Sequence, residues 1–107
     1  MHKLRYSLEA LNDLNEIWEY IYNELQNPAA AQKTVAGILD ALEKLRDFPE
    51  IGSLLSSITG IESDYRHLVC GNYITFYRID RTNVFIDRIL YGRRDYLRIL
   101  FDSLPEE

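Results

Sequence analysis

The sequence predicts an α+β domain of two layers, in which an N-terminal helical hairpin packs on one face of an antiparallel sheet. Two observations carry this prediction. Apolar residues recur at steps of three and four between Leu11 and Leu45, as in amphipathic helices, and at steps of two beyond Tyr65, as in strands. Short turn signals separate the segments, so successive elements are expected to pack side by side. The predicted order is β-α-α-β-β-β followed by a short C-terminal helix.

A single domain accounts for all 107 residues. A chain of this size buries about two-thirds of its surface on folding, which is enough for one core and too little for two. Apolar residues make up 47% and charged residues 27%, as in ordinary globular proteins. No apolar run approaches the roughly 18 residues of a membrane span, and no signal segment opens the chain. The single cysteine, Cys70, has no partner for an internal disulfide. We therefore expect a cytoplasmic protein without a metal or cofactor.

The first helix is predicted to follow a short strand at residues 2–6. The hydroxyl of Ser7 is suited to cap the free amides of the first helical turn. The acidic residues of this helix are interpreted as its solvated side. The apolar stripe predicted to face the core is Leu11, Leu14, Trp18, Ile21 and Leu25.

The second helix is predicted to begin at Pro28, because asparagine is a preferred N-cap and proline suits the first helical position. Phe48-Pro49 ends it. The short connection predicts an antiparallel hairpin of the two helices. Gly37 costs this helix about 1 kcal/mol relative to alanine and is interpreted as the mark of a close contact. The predicted apolar stripe is Ala31, Val35, Ile38, Leu42 and Leu45.

Three strands are predicted after a loop at residues 50–63. Gly71-Asn72 is typical of a tight hairpin turn, and residues 80–83 predict a second turn. Strands joined by such short connections form an antiparallel meander. Asp95 can cap a terminal helix that contains Leu97, Leu100 and Phe101. The strands are expected at residues 65–70, 73–79 and 84–91.

The charges are distributed unevenly along the chain. The net charge of −5 argues against nonspecific binding to nucleic acid. Residues 65–98 nevertheless contain seven arginines and three aspartates, a local charge of +4, whereas the remainder carries −9. Arginine is suited to bidentate recognition of phosphate and carboxylate. Two interpretations stay open at this point: a binding surface for an acidic partner, or exposed strand arginines that keep the sheet soluble.

Several segments, taken in order, resemble the RelE/ParE superfamily of bacterial toxins, the toxic halves of type II toxin–antitoxin modules. The resemblance rests on the order and spacing of these segments, since none of them is specific alone. It implies a RelE/ParE-like two-layer fold, in agreement with the prediction above. The segments are A-L-N-D-L-N-E-I-W-E-Y-I (10–21), N-P-A-A-A (27–31), L-R-D-F-P-E-I-G (45–52), Y-R-H-L-V (65–69), Y-I-T-F-Y-R-I (73–79) and V-F-I-D-R-I-L-Y-G-R-R-D (84–95).

The resemblance implies two alternative mechanisms. RelE-like members cut messenger RNA in the ribosomal A site without a metal, whereas ParE-like members bind DNA gyrase and poison replication. In a nuclease, the matching catalytic positions would be Arg66, Arg88 and Tyr91. Tyr91 stands where many relatives carry histidine. A tyrosine, with a pKa of about 10 against about 6.5 for histidine, is a poor general base at neutral pH.

The charge balance favours the ParE-like branch. Ribosome-dependent nucleases gain affinity by releasing counterions from phosphate, and a chain with a pI near 5.0 and three lysines is poorly equipped for this. We therefore predict a gyrase-directed toxin of a plasmid-stabilisation system. The alternatives are a ribosome-dependent endoribonuclease and a degenerate toxin that only binds its antitoxin as a co-repressor.

The resemblance also implies a cognate antitoxin. Its acidic or amphipathic tail is expected to contact the arginine-rich face and the groove beside the helical hairpin. Operator DNA is expected to be bound only through the antitoxin. The residues predicted to bind the antitoxin or the target are Arg66, Arg78, Arg88, Arg93 and Arg94.

Overall fold

A computed structural model of the chain describes residues 1–60, 63–92 and 99–100. A π-helical turn, Tyr20–Glu24, extends the first helix, and a 3-10 turn, Lys44–Arg46, extends the second. None of the helices among the described residues is long and apolar enough to cross a bilayer. The elements in chain order are β1 (Lys3–Tyr6), α1 (Leu8–Glu19), α2 (Pro28–Glu43), β2 (Ser53–Leu54), α3 (Ser56–Thr59), β3 (Arg66–Cys70), β4 (Tyr73–Asp80) and β5 (Asn83–Tyr91).

The predicted α+β class and the helical hairpin on one sheet face are confirmed. The sheet has five strands in the order β1-β5-β4-β3-β2, and β3, β4 and β5 form the predicted antiparallel meander. The sheet as a whole is mixed, because β1 pairs in parallel with β5, Lys3 opposite Asn83. Alternation within β1 predicts a strand but carries no information on a partner that lies at the far end of the chain.

The segment predicted as a loop at residues 50–63 contains two short elements. Ser53 and Leu54 form β2, which pairs with His67 and Arg66 at the start of β3, and the single turn α3 follows. The loop prediction was wrong here because a two-residue strand is held by backbone bonds and is too short to show a period.

The predicted terminal helix, with its cap at Asp95, lies mainly outside the described residues. Within it the structure describes Ile99 and Leu100. Both are half-buried against a cluster on the sheet face that is turned away from the two long helices. The buried members of that cluster are Leu55, Phe76 and Leu90.

Both helix starts are capped as predicted. The Ser7 hydroxyl accepts a hydrogen bond from the amide of Ala10 at 2.9 Å. The side-chain oxygen of Asn27 accepts one from the amide of Ala30 at 3.1 Å, and Pro28 is the first residue of α2. Each cap satisfies an amide of the first helical turn that has no partner within its own helix.

The buried face of α1 differs from the predicted apolar stripe. Leu11 is 50% exposed and Leu25 is exposed as well, whereas the predicted core residue Ile21 is buried. The buried side of α1 is rotated relative to the predicted stripe, because it includes a charged residue, Asp13. In α2 the predicted stripe is confirmed, with Val35 half-buried and the other four positions buried. The buried residues of α1 and its extension are Ala10, Asp13, Ile17 and Ile21.

Candidate functional site

An open groove separates the two long helices from one end of the sheet. Its volume is about 980 Å³. The helices supply one wall, and the β3–β4 turn together with the last residues of β5 supplies the other. Most of the lining is apolar, so the groove suits a segment with one apolar face. The principal apolar and aromatic lining residues are Ile17, Tyr20, Ile21, Ile38, Tyr73 and Tyr91.

Gly37 lies on the helical wall of this groove. A methyl group built at its Cα would meet no atom within 4 Å. The expectation that this glycine marks a close contact was therefore wrong. The missing side chain widens the groove instead, since any larger residue at this position would project into open space.

Three tyrosines surround the mouth of the groove. The ring of Tyr91 meets the ring of Tyr73 edge-on, with 5.8 Å between the centroids. Burial raises the pKa of Tyr73, and the neighbouring hydroxyls of Tyr91 and Tyr20 add to the effect. Tyrosines placed in this way offer apolar rings and polar tips, which is typical of protein interfaces.

The charges along the groove are few and are divided between its two helices. Asp13 and Glu16 line it from α1, and Lys33 lines it from α2. Asp13 is only 5% exposed. The groove is therefore more apolar than the predicted arginine-rich face, and its charges are of both signs.

Arg88 is held by Asp13 in a bidentate salt bridge. Its Nε and Nη2 donate to the two carboxylate oxygens at 2.8 and 2.9 Å. The same carboxylate accepts the amide of Ile89 at 2.9 Å. The pairing of β1 with β5 ends at Ile86, so this amide has no strand partner on that side and Asp13 supplies the missing acceptor. The hydrogen bonding of Arg88 to the Asp13 carboxylate raises the pKa of Arg88 above its ordinary value.

Arg66 braces the loop between α2 and β2. Its Nη1 donates to the carbonyl of Gly52 at 2.8 Å. Tyr77, opposite Arg66 on β4, donates its hydroxyl to the carbonyl of Pro49 at 2.8 Å and accepts the amide of Gly52 at 2.9 Å. The F-P-x-x-G motif, which runs from Phe48 to Gly52, thus closes onto a buried tyrosine, and these contacts give the motif a structural role.

Arg78 is paired on the opposite sheet face. Its Nε donates to Asp87 at 2.9 Å, and the guanidinium lies over the rings of Tyr65 and Phe85 at 5.9 and 5.8 Å from their centroids. Burial, with Asp87 nearby, raises the pKa of Tyr65 to about 12, so its hydroxyl stays protonated. Asp87 is the extra residue of a β-bulge, opposite the step between Phe76 and Tyr77.

The structure does not bring Arg66, Arg88 and Tyr91 together. Arg66 is opposite Tyr77 and Tyr91 is opposite Tyr73, on the two flanks of β4. Strand geometry places their backbones about 16 Å apart. The two arginines point their guanidinium groups at different partners, as described above. Arg93 and Arg94 lie outside the described residues, as does any contact they make.

No three His, Cys, Asp or Glu side chains within the described part of the chain are grouped so that they could hold a metal ion. Cys70 lies at the groove, and burial raises the pKa of its thiol. A raised pKa leaves less of the Cys70 thiol ionised at neutral pH, which makes it a weaker nucleophile.

Substituting Tyr77 by phenylalanine is expected to lower the free energy of unfolding by about 1–3 kcal/mol. The ring stays in place, but the amide of Gly52 loses its acceptor and the carbonyl of Pro49 loses its donor. Urea unfolding measures the change. Tyr22→Phe, at an exposed tyrosine, is the matched control and should leave the stability within about 0.5 kcal/mol of the parent. Equal effects at both positions would contradict the proposed brace.

Comparisons with known proteins agree with the fold and with the sequence resemblance. The family model of the ParE toxin of type II toxin–antitoxin systems, parDE, matches residues 4–96. A chain from the chromosomal ParDE TA system of P. aeruginosa superposes with a TM-score of 0.72 at 22% identity, covering 85% of this chain and 96% of that chain.

The isolated E. coli RelE toxin superposes with a TM-score of 0.58 at 13% identity, covering 97% of this chain and all of that chain. No curated protein sequence matches the chain. At these identities the two structures establish a likeness of fold, whereas the family model matches most of the sequence.

Proposed function

The chain belongs to the ParE toxin family of type II toxin–antitoxin systems, and from that membership we propose that it arrests growth by inhibiting DNA gyrase until a cognate antitoxin neutralises it. The observation that carries the proposal is the family match over residues 4–96, which includes every described element that lines the groove. We place this activity in the cytoplasm, with operator DNA bound only through the antitoxin.

The contacts of the candidate catalytic residues support inhibition without hydrolysis. RNA cleavage needs a base for the 2′-hydroxyl and positive charge at the phosphate. Arg88 is paired with the buried Asp13, and Arg66 donates to the carbonyl of Gly52 in the loop that precedes β2. Tyr91 lies at the groove mouth beside Tyr73, at a distance from both. These positions suit structural and binding roles better than a concerted proton transfer.

The groove supports the antitoxin part of the proposal. An apolar cleft with tyrosines at its rim accommodates an amphipathic segment, whose apolar face would cover Ile17, Ile21 and Ile38. The charges that line the groove include Glu16 and Lys33, so the bound segment is expected to carry charges of both signs.

Two parallel assays test the target. Purified toxin is added to translating ribosomes in one and to gyrase with supercoiled plasmid in the other. We expect stabilised double-strand breaks in the plasmid and intact messenger RNA. Tyr91→Phe is expected to retain this effect, since the proposal gives its hydroxyl no chemical task.

The opposite outcome, A-site cleavage without an effect on gyrase, would overturn the proposal and make Arg66, Arg88 and Tyr91 the catalytic set. Activity in neither assay, with antitoxin binding intact, would identify a degenerate toxin that acts as a co-repressor.

Filling the groove is expected to weaken antitoxin binding without unfolding the toxin. Gly37→Leu places an isobutyl group in open space on the helical wall, so the affinity of the antitoxin encoded beside the toxin should fall at least about tenfold. Gln32→Leu adds the same side chain at an exposed position of α2 outside the groove and should have little effect. Calorimetric titration measures both. Unchanged affinity in Gly37→Leu would exclude the groove as the antitoxin site.

A further inference from the structure

A second apolar stripe runs along the solvent side of α1. Its positions alternate at steps of three and four, the spacing of a coiled-coil seam. Leu8 is 71% exposed, Leu11 is 50% exposed and Tyr22 is 45% exposed, while Trp18 is half-buried. An exposed stripe of this length on a small domain is typical of an interaction surface. The stripe consists of Leu8, Leu11, Asn15, Trp18 and Tyr22.

This stripe is separate from the groove. The groove is lined by Asp13, Glu16, Ile17 and Tyr20 of the same helix and its extension. Successive residues of an α-helix lie about 100° apart around its axis. The stripe and the groove-lining residues are therefore on nearly opposite sides of the helix. A partner on the stripe would therefore leave the groove open.

The aromatic part of the stripe is ordered before any partner binds. The rings of Trp18 and Tyr22 stack with centroids 6.1 Å apart and planes inclined by 20°. Side chains that are already fixed lose little entropy on binding, and tryptophan and tyrosine are the residues that most often dominate binding energy. Asn15 lies at the middle of the seam, where a polar residue sets the register of a packed helix pair.

The helix that carries the stripe is acidic. Residues 8–25 contain five acidic residues and no lysine or arginine. Asp13 is neutralised by Arg88, whereas Glu19, which borders the stripe, is exposed and takes part in no salt bridge among the described residues. A second copy of this chain would bring an equally acidic helix against this one, so self-association through the stripe is disfavoured.

We propose that the outer face of α1 docks an amphipathic helix of a partner protein, with an apolar seam flanked by lysine or arginine. The seam would cover Leu11, Trp18 and Tyr22, and the basic flank would face Glu19. This inference is independent of gyrase inhibition and of the groove, because neither the stripe nor the test below involves them.

Two designed helical peptides test the proposal on the intact protein. Both carry the same leucine seam with a central asparagine and lack tryptophan. One has lysine and the other has glutamate at the flanking positions. Trp18 is the only tryptophan of the chain and lies in the stripe, so its fluorescence reports directly on coverage. We expect the lysine peptide to shift Trp18 emission and to bind at least about tenfold more tightly than the glutamate peptide, with a preference that declines as salt is added.

Matched variants locate the binding. Leu11→Ser is expected to weaken the lysine peptide about tenfold, whereas Leu39→Ser, at an exposed leucine of α2, should leave its affinity unchanged. Circular dichroism verifies that both variants are folded. The proposal is overturned if neither peptide affects Trp18, if the two bind equally, or if Leu39→Ser matters as much as Leu11→Ser. A dimer in light scattering that Leu11→Ser dissolves would also overturn it, by making a second copy the occupant.

Discussion

Replacing Asp13 by alanine is expected to lower the free energy of unfolding by about 3 kcal/mol. Removal of one partner from a buried ion pair typically costs about 3–5 kcal/mol, because the other charge is left without compensation. We expect the lower end of this range, because 25% of the Arg88 side chain is exposed to solvent. The substitution also removes the acceptor of the Ile89 amide at the unpaired edge of β5. Urea denaturation of the parent and the variant measures the difference.

Two controls separate this effect from a general loss of acidic charge. Glu16→Ala removes an exposed carboxylate from the same helix and should change the stability by less than about 0.5 kcal/mol. The double variant Asp13→Leu with Arg88→Met replaces the pair by apolar side chains, so it should lose less than the sum of the two single substitutions. An additive loss in the double variant would contradict the structural role of the pair. So would a loss of stability in Asp13→Ala as small as that in Glu16→Ala.

Asp13 also illustrates what the sequence pattern could not reveal. Local signals predicted the elements well, because a cap such as Ser7 or Asn27 acts within its own helical turn. Asp13 sits among acidic residues at helical spacing, so it was interpreted as part of the solvated side. Its burial depends on Arg88, which comes from the last strand. The position between Ala10 and Ile17, both buried, is the one signal that could have indicated it.

The candidate site could be predicted only in part, because local signals locate its elements but not the partners of its charged side chains. The groove follows from the helical hairpin and the hairpin turn of the sheet, both of which have local signatures. The arginines were identified as binding residues by type alone, and their actual partners are set by packing between distant segments. Arg66 bonds the carbonyl of Gly52, and Arg78 bonds Asp87 across two neighbouring strands. A count of charges identifies such arginines, but it does not distinguish an arginine that is hydrogen-bonded within the fold from one that is available to a ligand.

Gly52→Ala is expected to destabilise the protein by about 3 kcal/mol, whereas the same substitution at Gly37 is expected to stabilise it by about 1 kcal/mol. A Cβ at position 52 would lie 2.6 Å from the carbonyl oxygen of His67 and 2.6 Å from the hydroxyl of Tyr77. The first of these atoms is backbone within the sheet, so relief requires the braced loop to move, as in other overpacked cores. At position 37 nothing lies within 4 Å of the new methyl group, and alanine restores the helix propensity that glycine lacks. Thermal and urea unfolding of the two variants measure both changes.

In a Tyr77→Phe background the destabilisation caused by Gly52→Ala should become smaller without vanishing, because the clash with the hydroxyl is removed and the clash with the carbonyl remains. Changes of the same sign at both glycines would contradict the close approach of Gly52 to His67 and Tyr77 as the reason for a glycine at this position.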